Sequence, residues 1–479
     1  MNDNAHEVLS GFVGLLLVTG IIIMVPSFPA LLYSEYLVLP FFLLPGIIAI
    51  SFGLYLGIKY PLVEEFSIRG TIIIACAGWL FISAIGAIPF LGIGMPPLDA
   101  FFESISGFTT TGMTLIAGLE TCPRSILFWR SLSEWVGGVG VILLFTILLR
   151  GGMSTWRLYT LEGREKFTPS VKSSVRNILL IYLSLTTICA IVLYFCGLDA
   201  FDSINHAMTA LATGGFSTRT GSITDFDVSV KIALMIFMIL GATSFVLFYN
   251  LIKFEVRKVI GDVEFKTMLL MIFLGGLVAS VSLLVFQNSP PMGFVDGFFN
   301  VVSIVTTTGY TSGDISAWPN LTKVLLLIFM ILGGSAGSTA GGIKLWRGIV
   351  LFRLVKREVQ KLTLPHSAVI PIKIGGKTLD DEYVMKIVAL FTAYVLFLFV
   401  EFLLLSLSVP DLFGAFSLAV SSLSNIGPAF YPVDLLDPFS KIVLIFGMWF
   451  GRLELLPVMA FILKELPLTF KEYIKGKAE

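Results

Sequence analysis

Apolar residues run along this chain in long blocks separated by short polar clusters. A helix needs about 20 largely apolar residues to cross a bilayer, and ten blocks qualify: 8–25, 37–58, 70–90, 127–149, 175–196, 231–252, 268–286, 324–350, 385–407 and 442–462. Polar residues interrupt the eighth and the tenth. The pattern predicts an all-α polytopic membrane protein with ten transmembrane helices.

Composition agrees. Of 479 residues, 56% are hydrophobic and 13% charged, against about 45–50% and 25% in soluble domains. The 32 basic and 32 acidic residues balance, so nothing points to nucleic acid. His6, His206 and His366 are scattered, and Cys76, Cys122, Cys189 and Cys196 form no C-x-x-C pair, which argues against a metal-dependent membrane enzyme. Residues 1–7 carry no Lys or Arg, so the first block lacks the basic start of a cleavable signal and is expected to stay in the membrane. With both termini cytoplasmic, the inner connections hold 25 Lys and Arg and the outer ones 6, leaving Arg452 inside a span. The positive-inside rule therefore sets that orientation.

The connections after the third, fifth, seventh and ninth blocks share a window of twelve residues ending in glycine. These are FFESISGFTTTG (Phe101–Gly112), SINHAMTALATG (Ser203–Gly214), FFNVVSIVTTTG (Phe298–Gly309) and FSLAVSSLSNIG (Phe416–Gly427). The repeat is about a hundred residues long, and such periodicity defines an architecture. It predicts two N-terminal helices (1–60) followed by four units of span, window and span, at 61–166, 167–262, 263–364 and 365–479. The helical part of each window reaches only part of the way across a bilayer. Asp99 and Asp296 are placed to N-cap the first and third of these short helices, whose negative C-terminal ends then point to the membrane centre.

Non-helical backbone at that depth must be buried in protein or line a water-filled path. Four such loops around one axis would offer rings of carbonyl oxygens in place of a cation's hydration shell. Glycine can supply the positive φ that turns carbonyls inward. The alternative is four ordinary re-entrant turns between packed helices. On the ring reading the ion contacts fall at Thr110, Thr111, Gly112 and Met113; Ala212, Thr213, Gly214 and Gly215; Thr307, Thr308, Gly309 and Tyr310; and Asn425, Ile426, Gly427 and Pro428.

With these windows the chain resembles the Trk/Ktr/HKT superfamily of potassium transporters, most closely the TrkH type, from about residue 60 to the end. The two extra N-terminal helices also match that type. The resemblance implies a potassium pore in each subunit and a homodimer in the inner membrane. It maps one filter glycine per repeat onto Gly112, Gly214, Gly309 and Gly427, and glycine in the first repeat favours potassium over sodium.

Two further features lie past the windows. Gly333, Gly334, Ser335, Ala336, Gly337, Ser338, Thr339, Ala340, Gly341 and Gly342 are ten consecutive small residues, a poor helix at roughly 1 kcal/mol per Gly relative to Ala. They are either a close-packing surface or a break in the helix; the resemblance implies an intramembrane gating loop. Lys344 follows, either snorkelling to the inner surface or pairing within the loop. Arg452 is a costly intramembrane charge. It is paired internally, with Glu454 or another acid, or, as the resemblance implies, a positive barrier facing the pore; the two readings are compatible. Glu103 and Glu134 have no role legible in the sequence.

The outer segments hold twelve acids against six basic residues, a bias that would concentrate cations at the mouth. No nucleotide motif occurs, so neither an ATP-driven pump nor an organic cofactor is expected in this chain. The resemblance implies a separate cytosolic nucleotide-binding regulator of the TrkA type, docked on the inner surface around Arg353, Lys356, Arg357, Lys361 and Lys377. A transporter built from inverted repeats is disfavoured because all four units run in one direction. Sodium- or proton-coupled symport, or weaker discrimination between potassium and sodium, remain the alternatives to gated potassium conduction; the absence of an acidic relay within the spans favours conduction.

Overall fold

The computed structural model describes residues 3–61, 63, 66–148, 171–287, 292–365 and 370–465. The basic stretches expected at 150–170 and after 465 lie outside them. The first two apolar blocks form an antiparallel pair, Asp3–Met24 and Leu39–Lys59. Gly20 and Gly46 face each other so closely that a Cβ on Gly46 would stand 2.9 Å from the Gly20 carbonyl oxygen. Small residues allow such backbone approach where lipid gives helices no hydrophobic reason to associate. Ile21, Leu44, Ile47, Ile48 and Leu54 stay exposed on this pair. In the connection between its helices, Glu35 accepts the N–H groups of Arg124 (2.6 Å) and Ser125 (2.9 Å). That caps the helix Arg124–Leu148 and ties the pair to the first repeat.

Each repeat then shows a long helix, a short helix, a tight turn and a second long element. The long leading helices are Ile68–Gly86, Val171–Phe195, Val263–Gln287 and Asp381–Leu405. The short helices are Pro97–Phe108, Ala200–Leu211, Met292–Val305 and Leu412–Ser424. At 12 to 14 residues each they extend about 18–21 Å, short of a full crossing. The expected caps are corrected. Asp99 lies inside the first turn of its helix, after Pro97, and accepts from Lys441 Nζ (2.7 Å). Asp296 lies within its helix and accepts from Lys231 Nζ (2.9 Å). The carboxylates that do cap short helices are Asp199 and Asp411, which stand 15 and 16 residues before Gly214 and Gly427, whereas Asp99 and Asp296 each stand 13 before their glycines and so fall inside the helices.

Among the described residues, six helices are long and apolar enough to cross a membrane, and eight if each bent pair is one span. The bent pairs correct two expected spans. The block at 231–252 turns through 95° between Val228–Gly241 and Phe245–Ile252, and the block at 442–462 turns through 111° after Arg452. The block at 324–350 is interrupted outright: Asn320–Leu332 and Leu345–Lys361 are joined by a non-helical stretch from Gly333 to Lys344. Between the third and fourth repeats, Lys373–Ile374 and Lys377–Thr378 pair antiparallel around Gly375 and Gly376, both at positive φ as a two-residue hairpin turn requires. The result is a multi-pass membrane protein whose buried core surrounds the four short helices.

Candidate functional site

The four short helices end alike. Thr110, Thr213, Thr307 and Asn425 follow the last helical turns at φ of +53°, +51°, +57° and +54°. Each donates its N–H to the carbonyl three residues back, and the next residue donates to the carbonyl five back. The pairs are Thr110 to Gly107 and Thr111 to Ser106, Thr213 to Ala210 and Gly214 to Thr209, Thr307 to Ile304 and Thr308 to Ser303, and Asn425 to Ser422 and Ile426 to Ser421. This is the Schellman ending, usually made by glycine. Threonine in the left-handed region is strained, and residues tolerate such strain where the surroundings over-determine it. The ending directs the amides back into the helices. Among the described residues, none of the carbonyls of Thr111, Gly214, Thr308 and Ile426 accepts a hydrogen bond.

A glycine at positive φ comes next: Gly112 (+80°), Gly215 (+85°), Gly309 (+85°) and Gly427 (+105°). What each meets closes a cycle. A Cβ on Gly112 would overlap the Gly214 carbonyl oxygen, on Gly215 that of Thr308, on Gly309 that of Ile426, and on Gly427 that of Thr111. Every glycine thus makes room for the free carbonyl of the next loop, from the first repeat to the second, third, fourth and back to the first. The four loops share one axis.

This ring moves the second-repeat glycine from Gly214 to Gly215. Gly214 has ordinary φ and stands where Thr111, Thr308 and Ile426 stand, while Phe216, absent from the sequence expectations, takes the place of Met113, Tyr310 and Pro428. Ala212 ends its helix as Thr109 and Thr306 do. The aromatic after glycine, in Gly215-Phe216 as in Gly309-Tyr310, was the available signal for that register.

Side chains behind the ring hold each rising strand to its own short helix. Nine residues before the ring glycine stand Glu103, His206 and Asn300. Glu103 accepts from Thr114 Oγ1 (2.8 Å) and the Leu115 N–H (2.9 Å). His206 Nε2 bonds Ser217 Oγ (3.0 Å), and Asn300 Nδ2 donates to the Ser312 carbonyl (2.9 Å). Glu134, at full burial, accepts the Phe216 N–H (3.1 Å), so the first repeat's second helix props up the second repeat's loop. Arg130 pairs with Glu103 (2.8 Å), donates to the Ser217 carbonyl (2.8 Å) and covers the Phe216 ring at 4.0 Å. Both charges of that pair are almost wholly buried, and stripping one partner from such a pair costs about 3–5 kcal/mol. Arg130→Met is therefore expected to lower the melting temperature in detergent sharply. Adding Glu103→Gln should recover part of the loss.

The Gly333–Lys344 loop lies against the ring from the side opposite the vestibule described below. Gly341 N–H donates to Thr307 Oγ1 (2.7 Å) and Gly342 N–H to the Ser424 carbonyl (3.0 Å). Thr213 Oγ1 and Thr339 Oγ1 are 3.2 Å apart. The bend in the second repeat supplies partners for the loop backbone. Ser335 N–H donates to the Ala242 carbonyl (3.2 Å), Thr339 Oγ1 to that of Gly241 (2.9 Å), and Phe245 N–H to that of Gly337 (3.1 Å). Two breaks thus satisfy each other, as backbone at this depth must be satisfied.

Lys344 settles the choice left by the sequence: it is buried, with its ammonium bonded to the Ala340 carbonyl inside the loop. The expected Arg452–Glu454 pair is not among the ion pairs of the described residues. The Arg452 guanidinium donates to the Thr339 carbonyl (3.0 Å) in the loop and to the Gly137 carbonyl (2.8 Å) of the first repeat. Glu454 pairs instead with Arg347 at 2.6 Å. The long helices do hold buried acids: Glu134 and Glu401 lie within them and Glu264 opens one. Glu401 accepts from Ser422 Oγ (2.5 Å) in the fourth short helix.

On the other side of the ring opens a vestibule of about 500 Å³ that touches Gly112, Gly215, Gly309 and Gly427. Its charged lining is Asp434 with Arg130 and Arg219, so the acidic excess of the outer segments is not gathered there. Much of that excess is paired: Asp202 with Arg219, Asp99 with Lys441, and Asp296 with Lys231. Near the rim, Glu120 accepts the Thr220 hydroxyl (2.6 Å) and N–H (2.8 Å). Those bonds hold its carboxyl below the ordinary range, so it stays charged.

A model of the TrkH cation transport proteins matches residues 40–472. The chain belongs to the TrkH family. TrkH of Escherichia coli K12, named a Trk system potassium uptake protein, is 36% identical over 414 residues, 82% of this chain and 85% of its own. An uncharacterized cation transporter of Methanocaldococcus jannaschii is 33% identical over 93% of both chains. The crystal structure of the potassium transporter TrkH from Vibrio parahaemolyticus superposes with a TM-score of 0.87 at 32% identity, over 97% of this chain and 99% of that one. The relatives of this TrkH-family chain are named as transporters, not as enzymes.

Proposed function

We propose that the chain carries potassium ions into the cell across the inner membrane, through the ring of carbonyls and under control of the Gly333–Lys344 loop. The closed cycle of glycine–carbonyl contacts carries this reading: four unengaged oxygens at one level around one axis suit a dehydrated monovalent cation. The printed names of the E. coli and V. parahaemolyticus relatives support potassium as that ion. On this reading the ion-binding residues are those expected from the sequence, with the register in the second repeat moved to Thr213, Gly214, Gly215 and Phe216. Residues 61–166, 167–262, 263–364 and 365–479 are the pore repeats, and both termini face the cytoplasm.

The loop presses on three of the four repeats from below the ring, which supports a gate. The helix Leu345–Lys361 leaves that gate with Phe352, Val355 and Val359 exposed beside Arg353 and Lys356. Such a mixed face suits docking of a cytosolic nucleotide-binding regulator of the TrkA type. A homodimer in membrane lipid completes the assembly.

Purified protein in liposomes should take up rubidium at least about tenfold faster than sodium, a discrimination of about 1.4 kcal/mol. Equal rates would reject the potassium filter. Uphill rubidium accumulation driven by a sodium or pH gradient would replace conduction by symport.

A further inference from the structure

We infer that Glu264 is the latch that holds the Gly333–Lys344 loop closed; the inference rests on reading that loop as a gate. Glu264 belongs to the first turn of Val263–Gln287, not to the loop, and is 8% exposed. One carboxylate oxygen, Oε1, accepts the N–H of Ala336 (3.0 Å) and the N–H of Trp346 (3.0 Å). These residues are ten apart and bracket the loop, Ala336 just past its entry and Trp346 in the first turn of the helix that leaves it. The Trp346 amide is one of the N–H groups that a helix start cannot satisfy internally, and a carboxylate is favoured at that end of a helix.

The geometry separates two kinds of anchor. Thr339, Gly341 and Gly342, in the middle of the loop, bond to the underside of the ring. The two ends are drawn together by a single oxygen of the third repeat's leading helix. If the loop is to withdraw from the ring, its ends must separate or shift together, and either motion breaks at least one bond to Oε1. Beside this point lies a cavity of about 410 Å³, lined among others by Asn250, Lys258, Glu264, Ala336 and Trp346. It provides space for the ends to move without unpacking the core. Glu264 is therefore a positioning residue: it sets how much of the population is closed and leaves the ring's chemistry alone.

The test is rubidium flux into liposomes holding the full chain without any regulator, measured for Glu264→Ala, Glu264→Gln, deletion of residues 335–341, and Glu264→Ala within that deletion. Glu264→Ala should raise flux at least about tenfold, a shift well within what loss of two hydrogen bonds to a charged acceptor supports, with the rubidium-to-sodium ratio unchanged. Glu264→Gln keeps an acceptor oxygen and should raise it less. Glu382→Gln, an exposed acid opening the fourth repeat's leading helix, should leave it unchanged. In the deleted background Glu264→Ala should add nothing, because no loop remains to be latched.

If the deletion raises flux and neither Glu264 variant does, the latch is overturned and the gate stands. If the deletion itself leaves flux unchanged, the gate reading fails, and the latch with it. Should Glu264→Ala not fold, Glu264→Gln decides: a rise that vanishes in the deleted background upholds the latch, and no rise, or one that persists there, overturns it.

Discussion

Gly215→Ala is expected to cut rubidium flux by two orders of magnitude or more, while Gly214→Ala, one residue earlier, loses far less. The two differ in what a methyl group meets. At Gly215 it would overlap the Thr308 carbonyl oxygen, a backbone atom of the next loop, at a φ of +85°. Relieving that overlap moves the oxygen proposed to contact the ion, and the left-handed conformation adds about 1–2 kcal/mol for any residue with a Cβ. At Gly214 the methyl would press on the Glu134 carboxyl group, a side chain behind the ring and not one of its carbonyls. Gly309→Ala should resemble Gly215→Ala, since its methyl would enter the Ile426 carbonyl. Gly112→Ser meets the same kind of overlap, with the Gly214 carbonyl at a φ of +80°, and should lower flux and erode preference over sodium, as the displaced carbonyl no longer matches the ring's spacing. Flux of rubidium and competition by sodium in liposomes measure all four. Equal losses at Gly214 and Gly215 would return the register to the earlier residue.

The reach and the limits of the sequence both follow from where information is stored. Four windows at a spacing of about a hundred residues were legible because a pseudo-symmetric ring needs the same backbone conformation four times, and glycine marks it. The broken helix at Gly333–Gly342 was legible because ten small residues cannot hold a helix without help. The bend after Gly241 was not, since Ala242-Thr243-Ser244 reads as unremarkable span and breaks only because the loop's amides compete for the Gly241 and Ala242 carbonyls. The second glycine's register was ambiguous because Gly214-Gly215 offers two candidates and only the neighbouring loop chooses between them. Glu103, Glu134, Arg130 and Glu264 work through partners 11 to 87 positions away, distances at which periodicity carries no information. Asp99 and Asp296 were misread as caps because a helix start with a nearby acid was visible, whereas Lys441 and Lys231 across the fold were not.

Arg452→Ala is expected to raise basal rubidium flux by about ten- to a hundredfold in liposomes without a regulator, the second large effect. Two contributions act together. Removing a buried positive charge beside the path lowers a barrier to cations by an amount on the order of 1–3 kcal/mol at the effective dielectric of protein interiors. It also releases the Thr339 carbonyl, and with it the clamp between the loop and Gly137 of the first repeat. Arg452→Lys separates them. Lysine keeps the charge but has no planar fork to span two carbonyls on different elements, so a rise in this variant measures the clamp alone and the remainder belongs to the charge. Selectivity should hold in both, because neither change touches the ring. Flux that falls in Arg452→Ala, with melting unaltered, would mean that the guanidinium supports an open path. The loop would then need another explanation for lying directly beneath four converging carbonyls, with backbone bonds to the second and fourth repeats and a side-chain bond to the third.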